Sequence, residues 1–335
     1  MPAFRPDLWA GPGARGRLLA VLRLLSFSDL DLARWDACVA ASPGAPPSAQ
    51  AWWLAATAGR WHAVAELGPA GEYRSLLPLP LKWRLGGWVG YQPLFTPHLG
   101  LLLTAASQHR HLADYLALVA HQCRQFYQQL PPTAAPLAAL PAGFEVGERL
   151  TYHLDLGASH AELCRGYAAD YRRRLRQHEA APQPLRVVPG LALNELIKLF
   201  LSYRGPAHTG LQPRHYAPLR RLAAAAQARG LAELHQVRHS TTDELLAGAL
   251  FVRHAGGLVY LFAAASAAGR AAGAPLLLVD AAVRRHAGQA GQVLDFEGGN
   301  MPTIGRFFAN FGARPVAYPT LTFTRKYLFS AWMRL

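Results

Sequence analysis

A chain of 335 residues that is 51% hydrophobic and 16% charged can bury substantial cores, which excludes a disordered chain and predicts two domains rather than one. Lys and Arg outnumber Asp and Glu by 34 to 20, a formal charge of +14, so the expected partners are polyanionic or phosphate-bearing unless the arginines are merely solvated cations. Cys38, Cys123 and Cys164 are odd in number and far apart, which leaves no disulfide framework or paired-cysteine knuckle and makes a reducing cytoplasm the expected compartment.

Residues 1–17 read as a flexible Pro/Gly/Arg leader. Their GPGARG matches a dinucleotide fingerprint in form, but no apolar strand precedes it. Arg23 interrupts RLLAVLRLLSFSD, so it does not read as a signal segment. No other run approaches the ~18 apolar residues of a spanning helix. The expectation is a soluble protein, at most peripheral at a membrane.

From Leu18, LLAVLRLLSF reads as a strand, followed by a helix that starts at Asp29 or Asp31 and buries Leu32, Trp35 and Val39. Beyond SPGAPPS comes a helical piece around Trp52 and Trp53. Strands WHAVAEL and YRSLLPLPLKW then turn at GPAGE, with Pro78 and Pro80 pointing to an edge or a bulge. GWVGYQPLFTPHLGLLL supplies a loop and a short strand, and a helix is predicted over 109–129 with Leu112, Leu116, Val119 and Phe126 inward. The Pro-rich LPPTAAPLAALPAG reads as the connection between an N-terminal domain, 18–149, and a C-terminal domain, 150–335.

The second domain opens with strand RLTYHLDLG. Ser159 caps a helix with a Leu163, Tyr167, Tyr171, Leu175 stripe, and helices ALNELIKLFLSYRG and 217–229 follow. A meander comes next: LAELHQVR, ELLAGALFVRH and GLVYLFAAAS. A helix over 275–286, strand QVLDFEG, short helix IGRFFANFG and strand RPVAYPTLTF complete a mixed α+β unit.

That order, together with GALFVRHAGGLVYLFAAAS, GRAAGAPLLLVDAAVRRHA and LDFEGGNMPTIGRFFANFGA, resembles the GNAT acyltransferase superfamily. More closely, it is similar to the branch holding Fem-type peptidyltransferases and CelD/BioF2-like bacterial acetyltransferase domains. The resemblance runs over about 150–319 and, more weakly, over 18–133. It implies tandem GNAT-like domains, each a mixed, largely antiparallel sheet flanked by helices. It also implies transfer of an acyl or aminoacyl group from a thioester or ester to a small-molecule or peptide amine. The donor would be an acyl-coenzyme A or an aminoacyl-tRNA, with no tightly bound cofactor and no metal. A degenerate fold that binds tRNA, another anionic polymer or a membrane surface without turnover is the alternative.

GNAT enzymes hold coenzyme A pyrophosphate on a strand-to-helix loop of the pattern Q/R-x-x-G-x-G/A. Here Arg270 and Gly273 fit it and Pro275, which donates no N–H, does not. The resemblance puts Ser266, Arg270, Gly273 and Ala274 at the donor and Tyr91, Gln92, Asn300 and Arg306 at the acceptor. The missing amide predicts weak binding of acetyl-coenzyme A.

In VLDFEGG, alternation sets Leu294 and Phe296 on one face and Val293, Asp295 and Glu297 on the other. Asp295 or Glu297 is the candidate general base, with like charge lifting one pKa. Alternatively, the two form a structural pair bonded to turn amides and to Arg306 or Arg314. Arg173, Arg174, Arg176, Arg220, Arg221, Arg284 and Arg285 make a candidate phosphate track or a solvated face. His109-x-His111 and His121-x-Cys123 have no third ligand nearby.

Overall fold

Asp31 starts the first helix: its Oδ1 accepts from the amides of Ala33 and Arg34, each at 3.0 Å. The structure is a computed structural model that describes residues 21–84, 86–134, 137, 139–182, 185–203 and 211–325. The leader therefore lies outside the described residues. The chain divides into two units, Met1–Glu148 with Tyr318–Leu335, and Arg149–Ala317.

In the first unit β1 (Leu22–Leu25) leads to α1 (Leu32–Ala40), which turns Trp35, Cys38 and Val39 inward. Leu32, expected on that face, is 38% exposed. After α2 (Ala51–Thr57) come β2 (His62–Leu67), β3 (Tyr73–Leu79), β4 (Leu81–Arg84), β5 (Gly87–Gly90) and β6 (Leu102–Leu103). Strands β1, β2, β3 and β6 form an antiparallel sheet in that order. Pro80 interrupts the predicted strand 73–83, so β3 stays in this sheet while β4 leaves it to pair with β5. Buried Glu66 on β2 accepts from Ser75 Oγ and from the amides of Gln108 and His109, which ties down the chain ahead of α3 (Leu112–Gln122).

The helix predicted over 109–129 is shorter in the structure. It stops at Gln122, and Cys123–Gln129 is β7, which pairs parallel with β5. In CRQFYQQ Cys123, Phe126 and Gln128 are buried and burial alternates from Phe126 onward, so pairing with neighbouring strands overrides the helical reading of the apolar spacing.

The second unit carries most of β8 (Phe144–Asp155) and then α4 (His160–Arg165) and α5 (Ala169–Glu179). Sequence periodicity predicts one helix here. The chain breaks at 166–168, where the Ala168 amide bonds Asn310 O at 2.8 Å, yet Tyr167 and Tyr171 still face the core. Next come β9 (Arg186–Pro189), α6 (Leu193–Tyr203), α7 (Ala217–Ala228), β10 (Ala232–Arg238), β11 (Leu245–His254) and β12 (Gly257–Ala265). They are followed by α8 (Ala267–Ala272), α9 (Ala274–His286), β13 (Val293–Asp295) and α10 (Pro302–Ala309). Strand β9 and helix α8 have no counterpart in the sequence reading. The sheet order is β8-β13-β12-β11-β10-β9, with β13 antiparallel to β8 and parallel to β12. Leu154, Phe251, Leu278, Leu294, Phe296, Phe308 and Phe311 build its core.

The last strand, β14 (Arg314–Thr324), continues from residue 318 in the first unit and pairs antiparallel with β7, Phe323 opposite Phe126. The first unit thus has an antiparallel sheet, β1-β2-β3-β6, and a second group of paired strands, β4-β5-β7-β14, while the second unit has a mixed, largely antiparallel sheet, all with helices, the expected α+β class.

Candidate active site

Strands β12 and β13 pair only at their beginnings, Gly257 to Val259 against Val293 to Asp295. Gly257, at φ 138°, makes that start possible, because a Cβ there would sit 2.0 Å from Val293 O. Beyond Val259, β12 stays with β11 across a register shift near Phe251, and the Phe296 amide turns to Tyr152 O on β8 at 3.0 Å. The two parallel strands therefore separate just where Asp295 and Glu297 stand.

Leu294 and Phe296 are fully buried in the core, as alternation predicts. Three successive residues then take positive φ: Glu297 at 49°, Gly298 at 95° and Gly299 at 125°. Gly299 must be glycine, since a Cβ would fall 2.5 Å from the Tyr152 ring. Glu297 holds a left-handed conformation that non-glycine residues seldom adopt, the kind of strain that gathers at functional sites.

The two carboxylates live in different environments. Asp295 Oδ1 accepts from Thr151 Oγ1 at 2.5 Å and from the Glu297 amide at 3.0 Å. His153 Nε2 stands 3.4 Å from Asp295 Oδ2, near enough for charge attraction though not aligned as a hydrogen bond. Burial alone would raise the Asp295 pKa, but His153, Thr151 and the Glu297 amide hold it below its usual value. Burial, and then the neighbouring Asp295 charge, push Glu297 well above the ordinary carboxylate range. Its Oε1 is buried and has no hydrogen-bond partner. One carboxylate is a fixed anion; the other has a spare, proton-hungry oxygen.

Neither Arg306 nor Arg314 holds this pair; Thr151 and His153, which the sequence reading missed, do so. Both lie on β8 on the face of Asp155, and the register Asp295↔His153 sets them beside Asp295. The alternation in LTYHLD displays that face, but only strand pairing reveals its neighbour.

The donor-side residues fall on one connection after β12. Ser266 caps α8, its Oγ accepting from the Gly269 amide at 2.9 Å. Arg270 folds back to Ala265 O at 2.8 Å and lies over the Tyr203 ring, 5.1 Å from its centroid. The Arg174 guanidinium covers Gly273. In a pyrophosphate cradle here, the Gly273 and Leu276 amides already bond Arg270 O and Gly273 O, and Pro275 has none. Ala274 is left as the available amide of that turn, a poor fit to coenzyme A.

Asn300 pins the strand beside the site, its Oδ1 accepting from the Leu150 amide at 3.1 Å, while Arg306 is exposed on α10. Tyr91 and Gln92 belong to the first unit. There Gln92 bridges Thr96 O and the Gln129 amide, and Tyr91 lies under the Lys82 ammonium at 4.1 Å. Much of the arginine track is engaged: Arg173 pairs with Asp170, Arg284 with Glu179 and Asp280, Arg285 with Glu233, and Arg220 bonds Asn194.

His160, Cys164 and buried Asp280 bring three metal-type ligand atoms within 4.8 Å of one another. Cys164 Sγ lies 3.2 Å from His160 Nε2 and 3.8 Å from Nδ1, beside the ring rather than in line with a lone pair. Asp280 Oδ1 accepts from Tyr167 Oη at 3.2 Å and is 2.8 Å from His160 Nε2. This is a closed hydrogen-bond network whose geometry does not match a coordination sphere.

Residues 165–303 match the family model described as Acetyltransferase (GNAT) domain. No curated protein matches the chain in sequence. Among solved structures, the crystal structure of FemX aligns at TM-score 0.60 and 14% identity, over 87% of this chain and 96% of that one. A tandem GNAT protein from the clavulanic acid biosynthesis pathway aligns at 0.54 and 15%, over 90% and 98%. The C-terminal DUF2156 domain of a putative lysylphosphatidylglycerol synthetase from Agrobacterium fabrum aligns at 0.50 and 13%, over 88% and 92%. No helix among the described residues is long and apolar enough to cross a membrane.

Proposed function

We propose that the chain, whose residues 165–303 match the GNAT acetyltransferase-domain model and whose fold is similar to that of FemX, is an N-acyltransferase of the Fem-like GNAT type with Glu297 as general base. The observation that carries this reading is the buried, unpaired Oε1 of Glu297 at the point where β12 and β13 separate. The amine nitrogen attacks the carbonyl carbon of an ester or thioester and forms the C–N bond, while the bond to the leaving oxygen or sulfur breaks. The amine's proton passes to ionised Glu297 and from there to the leaving group. Asp295 keeps a fixed negative charge beside Glu297, which raises its proton affinity. The poor pyrophosphate cradle favours an aminoacyl or other ester donor over a coenzyme A thioester.

The test is a donor screen of acyl-coenzyme A thioesters and aminoacyl-tRNA against amine acceptors, repeated with Glu297→Gln. The expected result is about a 100-fold fall in kcat, the scale of losing a general base, without loss of folding. A variant that keeps full turnover removes Glu297 from the chemistry. A variant that unfolds makes the carboxylate structural.

A further inference from the structure

The first unit exposes a feature that acyl transfer does not use. Strand β4 is the edge of its sheet and pairs with β5 as a tight hairpin, Trp83 opposite Trp88 and Arg84 opposite Gly87. Trp88 is partly buried and packs edge-on against His62, ring centroids 5.5 Å apart. It supports Trp83 in turn, at 5.4 Å and 83°. Trp83 itself is 43% exposed, the one exposed tryptophan among the described residues.

Alternation along β4 sends Lys82 and Arg84 to the face opposite Trp83. Between Pro80 and Gln92 the sequence has no carboxylate. Partial burial and then the Arg84 charge hold the Lys82 pKa below its usual value. Arg124 packs alongside, its Cβ 3.1 Å from where a Gly87 Cβ would be. An edge strand with exposed cations resists pairing with another strand. An exposed indole there does the opposite unless something covers it.

We propose that the β4–β5 hairpin docks the protein on an anionic lipid surface, with Trp83 at the headgroup level and Lys82 and Arg84 on lipid phosphates. Indole rings favour the membrane–water interface because one side is apolar and the N–H is polar. Clustered Lys and Arg draw the same surface electrostatically, and the chain's charge of +14 adds to the attraction. A surface that wraps the hairpin tip meets both faces at once. A nucleic-acid base stacked on Trp83 would leave Lys82 and Arg84 on the far side, so lipid fits the geometry better. This inference is independent of the proposed chemistry.

Co-sedimentation of the full chain with phosphatidylcholine vesicles, with and without phosphatidylglycerol, tests it. Binding should require phosphatidylglycerol and weaken as salt rises. Replacing Lys82 and Arg84 together by Ala should lower the partition coefficient by about 30-fold, the effect of two surface cations. Trp83→Ala should lower it further and abolish tryptophan quenching by brominated lipid. All three positions lie at the hairpin's surface, and unchanged thermal melting of the variants would confirm intact folds. No vesicle binding at low salt, equal binding to neutral vesicles, or variants that bind like wild type would overturn the proposal. So would loss of single-stranded oligonucleotide binding in these variants while vesicle binding is kept.

Discussion

Replacing Phe308 by Ala tests whether the short α10 helix is packing rather than chemistry. The ring is 4% exposed and stacks on Phe296 with centroids 4.5 Å apart. Phe307 lies at 5.7 Å, Tyr152 at 5.9 Å and Tyr260 at 6.2 Å. Truncating a buried phenylalanine costs about 3–5 kcal/mol. Here Phe296 is held by its amide bond to Tyr152 O, so the walls cannot easily collapse into the space. About 4 kcal/mol is therefore expected, which for a unit of this size lowers Tm by about 8–16 °C. Urea denaturation should show a lower midpoint with an unchanged slope. Turnover per folded molecule, measured well below the melt, should stay near that of wild type. A loss under ~1 kcal/mol would mean the ring is not a core element. A large drop in turnover with the fold intact would make Phe308 part of the catalytic geometry.

Two further outcomes concern charged groups, one pair at the site and one cluster around β10. Asp295→Asn removes a negative charge that raises the Glu297 pKa. The base must be ionised, so kcat rises with pH through that pKa, and the rising limb should move to lower pH in Asp295→Asn and vanish in Glu297→Gln. An unmoved limb in Asp295→Asn would show that burial alone sets Glu297. Glu233 sits in a cluster of His235, His286, Arg253 and Arg285, with His286 Nε2 at 3.0 Å and Arg253 Nε at 3.1 Å. Burial would raise its pKa, but hydrogen bonds from His235 and His286 outweigh that and hold it far below 4.5. A depressed carboxylate stabilises the fold above its unfolded pKa and loses that contribution as pH falls below 4.5. Glu233→Gln should accordingly lower stability at neutral pH and flatten the acid side of a melting-temperature profile; an unchanged profile would show that the cluster contributes nothing.

The meander, the Asp31 and Ser159 caps and the buried face of Leu294 and Phe296 were legible in the sequence because local periodicity and side-chain capping decide them. The strand at 123–129 was not. Its apolar residues fit a helical stripe continued from α3, and only partners distant in sequence, β5 and β14, make extension the better state. The candidate site divides the same way. Asp295 and Glu297 could be picked out as carboxylates at a strand end followed by two glycines. Their unequal roles could not, because these depend on Thr151 and His153, about 140 residues upstream and brought alongside by the β8–β13 register.

Three unfavourable features fall on the one residue Glu297. It holds φ at 49°, its Oε1 is buried without a partner, and the Asp295 carboxylate beside it opposes its ionisation. A positive φ at a non-glycine residue and an unsatisfied buried oxygen each cost about 1–3 kcal/mol. Glycine at 297 would remove all three at once. A residue kept only for folding would be expected to avoid such a position, since local and global preferences usually agree in a stable core. Asp295 shows the contrast: it is just as close to the strand end, yet Thr151, His153 and a turn amide satisfy it. The two neighbours thus differ in the way a proton-accepting group differs from its electrostatic support. It follows that Glu297→Gln should hold or raise the melting temperature as pH rises above the ordinary carboxylate range, where folded wild type must either keep a proton that the unfolded chain releases or bury a charge. At pH below 4.5, where the raised pKa keeps wild-type Glu297 protonated, the two proteins should melt alike.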